Sequence, residues 1–290
     1  MKYTVRENDI ILHEYESFVI SQTLECGQCF RFTQIGEENY IIVAFGKILN
    51  IYCDGTDIVF KNTTEEEFNN IWYNYFDFGR NYNDIKKKIS ENDEILQKAV
   101  EYAPGIRILN QDRFECLISF IISQNNRIPM IKKVIGNISK KYGRYIGSVD
   151  GEEYYAFPNP EELIKADEAG LMECKTGFRA KYIIDAVQKV IHGEINLNAD
   201  DMDTETLRKM LMTIKGVGPK VADCMMFSFG RCETFPTDVW VKRIMSELYF
   251  NGREASVKEI HQKAEECFGD YAGYAQQYLF NYARQFKIGA

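Results

Sequence analysis

The spacing of apolar positions changes part-way along the chain. Over residues 8–62 the apolar runs are short. QCFRFTQI, NYIIVAF, KILNIYC and TDIVFKN are rich in β-branched and aromatic residues and are separated by Gly, Asn and Asp. Such runs suit a pleated, half-buried surface. Turn signals at 35–39 and at Asp54-Gly55 join them as hairpins, so an antiparallel sheet is predicted. The period switches at Thr63-Thr64-Glu65-Glu66-Glu67, where carboxylates suit the positive end of a helix. Helices are predicted over 64–76, 82–89 and 92–103, and Pro104-Gly105 marks a break. Beyond residue 110 the period is helical almost throughout. Phe114, Leu117, Ile118 and Ile121 lie on one helical face. Further helices are expected over 128–141 and 160–172, along Tyr182–Val190 up to Gly193, and at about 203–213, 220–229, 238–249, 256–268 and 271–286. The expected fold class is α+β: an N-terminal antiparallel sheet domain with flanking helices over 1–105, and an all-α domain over 106–290.

Composition adds limits rather than detail. The chain has 290 residues, 45% hydrophobic and 27% charged, as in a globular protein. No apolar run approaches the ~18 residues of a membrane span. The first residues, MKYTVRENDI, lack the apolar core of a signal peptide, so a cytoplasmic protein is expected, nucleoid-associated if bacterial. Eight cysteines are scattered and read as buried thiols. Cys26-Gly27-Gln28-Cys29 has no second pair at zinc-like spacing, and the C-terminal cysteines lack iron–sulfur spacing. Three histidines, far apart, make a histidine metal site or triad improbable. Net charge is −8, which argues against nucleic acid at first sight. The excess is local: residues 1–100 hold 10 Lys+Arg and 17 Asp+Glu (−7), and residues 101–290 hold 25 and 26 (−1). The near-neutral remainder leaves room for a basic face.

The informative stretch is 211–240, LMTIKGVGPKVADCMMFSFGRCETFPTDVW. A helix over Thr204–Met212 stops at Lys215-Gly216-Val217-Gly218-Pro219. Gly216 and Gly218 allow a tight turn, and Pro219 pre-sets the first turn of the next helix. Bare N–H groups at a helix start bind phosphate without net positive charge. A plain helix corner would look similar. Lys220 shifts the balance, because a cation at this end opposes the helix dipole, which is expected to favour a neutral, nucleophilic amine. Asp238, after Phe235-Pro236-Thr237, suits an N-cap and equally a carboxylate facing a cleft, where it would stabilise positive charge developing on a sugar.

IKGVGPKVADCMMFSFGRCETFPTDVW closely resembles the helix-hairpin-helix DNA glycosylases, and among them the 8-oxoguanine DNA glycosylase/AP lyases. CGQCFRF, FIISQNNRI, GFRAKYI and YAGYAQQYLF extend the resemblance over nearly the whole chain. It implies a sheet domain like half of a TATA-binding protein, and an enzyme that flips 8-oxoguanine from duplex DNA. It further implies that Lys220 attacks the sugar with help from Asp238, that a Schiff base forms, and that β-elimination nicks the strand. No cofactor or metal is expected in catalysis. A structural cation at Gly216–Gly218 when DNA is bound is the one exception the resemblance implies. The implied partner is double-stranded DNA containing 8-oxoguanine, the implied state a monomer without membrane contact.

Site residues follow from matching positions. Gly27 matches the glycine whose carbonyl reads the N–H that distinguishes 8-oxoguanine, though alone it reads as a strand turn. Gln276 matches the reader of the Watson–Crick edge, Phe280 the aromatic that stacks on the base, and Cys224 the sulfur on its other face. Without the family these read as a solvated position, a core aromatic and a buried thiol. Asn125 matches the filler of the vacated stack and is otherwise a polar corner. Arg179 and Phe178 match residues at the estranged cytosine, and Lys215 is a candidate phosphate contact beside Gly216 and Gly218. Three positions depart from animal relatives: Met130 replaces an arginine that reads the opposite cytosine, Trp240 a histidine, and Ala283 that histidine's aspartate partner. A thioether lacks charged donors, so relaxed preference for cytosine is expected. Trp240 reads as a phosphate contact or as core. A glycosylase for another lesion, or a non-catalytic hairpin DNA-binding protein, remain the alternatives.

Overall fold

The computed structural model describes residues 1–288. Strands β1 (Tyr3–Arg6), β2 (Asp9–Leu12), β3 (Phe32–Gly36), β4 (Asn39–Ala44), β5 (Lys47–Asp54) and β6 (Asp57–Lys61) form one antiparallel sheet in the order β1-β2-β6-β5-β4-β3. The register pairs Ile10 and Ile51 with Phe60, and Ile42 with Leu49, so alternate residues gather on one buried face. A helical segment over 65–75 covers that face, with Phe68 edge-on to Phe60 at 5.0 Å. Thr64 caps it, accepting from Glu67 N at 3.1 Å, as the Thr-acidic run predicts.

Four local readings change. The first two strands have only four residues each, too short for a periodic signal. The expected strand QCFRFTQI begins only at Phe32, because helix Ile20–Glu25 precedes it and Gly27 turns with φ +91°. Strands β7 (Tyr145–Val149) and β8 (Glu152–Tyr155) interrupt the helical part. Asp150-Gly151 between them has φ +50° and +85°, the two-residue turn that this dipeptide favours. The expected helix 160–172 is two short ones, Pro160–Leu163 and Glu168–Glu173, because Asp167 caps the second through Gly170 N at 2.7 Å.

The helices form two further cores. Arg113–Ser123, Ile128–Tyr142, Ala180–Ile191, Thr204–Leu211 and Pro219–Ser228 enclose one, with Leu117, Ile135, Ile183, Leu211 and Met225 fully buried. The other joins Tyr82–Ser90 and Glu94–Tyr102 to Val239–Tyr249, Val257–Phe268 and Ala272–Phe286. The cores therefore do not divide at residue 105: helices of the N-terminal stretch pack with the C-terminal ones. Arg107 pins the connection. It is fully buried, donates from Nε to Phe76 O at 2.7 Å, and lies 4.0 Å over the Tyr82 ring. Among the described residues no helix is long and apolar enough to cross a membrane.

Candidate active site

A cavity of about 430 Å³ lies between the two helical cores, a size suited to a small organic ligand. Lys220, Cys224, Asp238, Trp240, Gly27, Gln276 and Phe280 all line it. These residues come from three parts of the sequence, and only the fold brings them together.

Lys220 is the second residue of helix Pro219–Ser228, with Cys224 one turn on. Asp238 caps helix Val239–Tyr249 through Oδ1, which accepts from Val241 N at 2.8 Å. Its other oxygen accepts no hydrogen bond among the described residues, so capping and facing the cavity coexist. The Cys224 sulfur and, against the burial that pushes it down, the Asp238 carboxylate hold the Lys220 ammonium above its ordinary pKa. Burial in turn raises the Cys224 thiol. The expectation of a neutral amine is thus corrected. Lys220 must release a proton before it can attack.

Opposite the lysine, Gly27 and Phe280 face each other. A Cβ at Gly27 would meet the Phe280 ring at 3.7 Å, ordinary contact, so what demands glycine is its φ of +91°. Gln276 is only 7% exposed, yet its amide makes no hydrogen bond among the described residues. A nearly buried amide left free beside a cavity is available to read a ligand.

Two glutamines that the sequence did not single out build this wall. Gln277 Nε2 donates to Cys26 O at 2.9 Å. Gln28 Nε2 donates to Thr23 O at 2.8 Å and Arg107 O at 2.7 Å, and its Oε1 accepts from Leu109 N at 2.9 Å. Both stand in stretches that carry the resemblance, CGQCFRF and YAGYAQQYLF, but nothing local signals their partners.

The hairpin turns at Gly216, where φ is +78° and a Cβ would fall 2.3 Å from the Tyr182 ring. Gly218 differs: its φ is −98° and nothing lies within 4 Å of a Cβ there. Only Gly216 is thus required by the turn, and the bareness at Gly218 faces open space. Neither glycine's N–H donates to any group among the described residues. Arg208 Nε to Asp223 Oδ1, 2.9 Å, ties the two hairpin helices together.

Residues 10–117 match the family described as 8-oxoguanine DNA glycosylase, N-terminal domain. Residues 118–269 match HhH-GPD superfamily base excision DNA repair protein. The chain belongs to the HhH-GPD superfamily of base excision DNA repair proteins. A probable N-glycosylase/DNA lyase of Methanothermobacter thermautotrophicus is 33% identical over 215 residues, 67% of this chain and 68% of that one. The Clostridium acetobutylicum 8-oxoguanine glycosylase/lyase, solved with double-stranded DNA containing cytosine opposite 8-oxoG, is 44% identical with a TM-score of 0.94 over 99% of both chains. MBOgg1, solved with a low-affinity DNA ligand, is 46% identical with a TM-score of 0.93 over 99% of this chain and 100% of that one.

Of the other candidates of this superfamily member, all but Trp240 lie outside the cavity. Asn125 is exposed at the tip of a loop with φ +47°. Arg179 is buried and donates from Nε to Gln124 O at 3.0 Å and from Nη2 to Asn125 O at 3.1 Å. Its guanidinium thereby holds the Asn125 loop in place. Phe178 is 57% exposed, 5.9 Å from the Tyr182 ring that also backs Gly216. Met130 is exposed at the start of helix Ile128–Tyr142. Trp240 is both half-exposed and a cavity residue, with Arg243 5.5 Å over its ring, so it is not core. Lys215 projects from the turn into solvent.

Proposed function

We propose that this protein is a bifunctional DNA glycosylase and AP lyase that removes 8-oxoguanine from duplex DNA. The observation that carries the reading is the single cavity shared by Lys220 and Asp238 with Gly27, Cys224, Gln276 and Phe280. The family membership and the named activities of the relatives support it. All these groups come from one chain, which supports action as a monomer. DNA as the substrate puts its work at the chromosome, in the nucleoid of a bacterial cell.

The damaged nucleotide leaves the stack and enters the cavity between Phe280 and Cys224. Gln276 reads its Watson–Crick edge. The Gly27 carbonyl accepts the N7–H that guanine lacks, and that buried acceptor would stay unpaired over guanine. Lys220, once deprotonated, bonds to C1′ while N9 departs with the bonding electrons and is protonated. Asp238 steadies the positive charge on the sugar. The sugar ring opens to a protonated Schiff base, a C2′ proton is lost, and the 3′ C–O bond breaks. None of these steps calls on a cofactor. The carbonyls of Lys215 and Gly216 accept no hydrogen bond among the described residues, a donor chemistry that fits a hard cation at the hairpin.

The test is borohydride trapping on a duplex with one 8-oxoguanine. Wild type is expected to form a covalent complex and Lys220→Gln none. Absence of a wild-type complex refutes the reading, and a complex that survives the substitution moves the nucleophile elsewhere.

A further inference from the structure

Beneath the hairpin turn, one carboxylate gathers three partners. Asp185, on helix Ala180–Ile191, accepts from Lys215 N at 2.8 Å through Oδ2. Lys189 Nζ lies 3.1 Å from the same oxygen, and Lys215 Nζ lies 3.4 Å from Oδ1. Lys189 Nζ also donates to the Thr213 carbonyl, so one ammonium binds both the carboxylate and the segment leading into the turn. Burial opposes ionisation of Asp185, but the Lys215 N–H and the two ammonium groups more than offset it and keep its pKa low.

The exposures separate the two lysines. The side chains of Asp185 and Lys189 are 10% and 19% exposed, whereas Lys215 is 70% exposed. Asp185 and Lys189 neutralise each other out of solvent. Lys215 is left as the cation in excess, beside the unpaired N–H groups of Gly216 and Gly218. We propose that Asp185 is a positioning residue for DNA binding: with Lys189 it fixes the turn so that these two N–H groups and the Lys215 ammonium converge on one DNA phosphate. This rests on the reading of the protein as a DNA glycosylase.

Two effects oppose each other at this position. Removing a negative charge near a DNA-binding face tightens binding by electrostatics alone. Removing a brace loosens the turn and weakens it. The proposal requires the second to win. The test measures anisotropy on a duplex carrying a tetrahydrofuran abasic analogue, over a salt series, alongside single-turnover excision of 8-oxoguanine at saturating enzyme. Asp185→Asn is expected to weaken binding about tenfold, the loss of a charge-assisted hydrogen bond. It should leave the slope of log K against log salt unchanged, while Lys215→Gln lowers that slope by about one ion. The saturating excision rate should stay within about twofold of wild type, because the lost contact acts on binding and not on the chemical step. Asp185→Asn/Lys189→Met removes the stranded buried cation and keeps the test valid if the single variant unfolds; it should bind as weakly as the single variant. Unchanged or tighter binding in either variant overturns the proposal, as does an equal fall in the saturating rate, the mark of general loosening. Failure of wild type to excise 8-oxoguanine would instead refute the functional reading beneath it.

Discussion

Gln277 Nε2 donates to the Cys26 carbonyl at 2.9 Å across 251 positions of sequence. The bond fastens the turn that carries Gly27 to the helix that carries Gln276 and Phe280, so two walls of the cavity share one anchor. Gln277→Ala leaves a buried carbonyl unpaired, which costs ~1–3 kcal/mol. We expect a lower melting temperature and, because Gly27 drifts from Phe280, excision of 8-oxoguanine slowed by about tenfold or more. Thermal melts and single-turnover excision check both.

The two hairpin glycines should separate stability from DNA binding. Gly216→Ala forces a side chain to φ +78° and against Tyr182, so we expect a loss of ~1–3 kcal/mol together with weaker DNA binding. Gly218→Ala meets open space at an ordinary φ and should be neutral or stabilising by ~0.4–1 kcal/mol. Its methyl group would nonetheless stand where a DNA backbone approaches, so affinity for an abasic-analogue duplex should fall. Urea titrations and anisotropy on both variants test the contrast.

Glu115 makes stability depend on pH in an unusual direction. Burial raises its carboxyl from 4.5 to about 7, and Arg31, 3.5 Å away, pulls it down by less. The folded state therefore holds a proton that the unfolded chain releases. Stability should decline as pH rises from about 4.5 to 7, by ~3 kcal/mol for this group, and its contribution should level off above that. Glu115→Gln carries no such proton, so its stability should change less between pH 5 and pH 8. Urea midpoints at those two values decide it.

Met130 is expected to relax the choice of base opposite the lesion. It is exposed at the start of helix Ile128–Tyr142, where its thioether offers no donor to a base. Wild type should excise 8-oxoguanine opposite C, A, G and T at similar rates. Met130→Arg should raise preference for cytosine by roughly tenfold, the worth of a good base contact. Excision rates on the four duplexes test both statements, and a strong cytosine preference in wild type refutes the first.

Strands β3–β6, most helices and the Lys220 hairpin were legible in the sequence because each rests on a local signal: a period, a cap or a turn residue. Asp238 was legible as an N-cap, and its second role needed only that the cap face a cleft. What escaped was non-local. Nothing near Gln28 or Gln277 announces bonds to Arg107 or Cys26, and nothing near Asp185 announces Lys215. The state of Lys220 was misjudged for the same reason. The helix dipole can be read from sequence, whereas the Asp238 carboxylate becomes a neighbour of Lys220 only on folding.

Helices Tyr82–Ser90 and Glu94–Tyr102 share their core with helices that begin at Val239. On a chain made from the N-terminus, Ile85, Ile89 and Leu96 emerge long before the surfaces that will cover them. The sheet can complete its own core early, while this second core waits for the helices of residues 239–286. That interval is when a greasy, half-built chain is exposed to chaperones and proteases. It also means that the cavity between the two helical cores cannot form before helix Ala272–Phe286 has emerged.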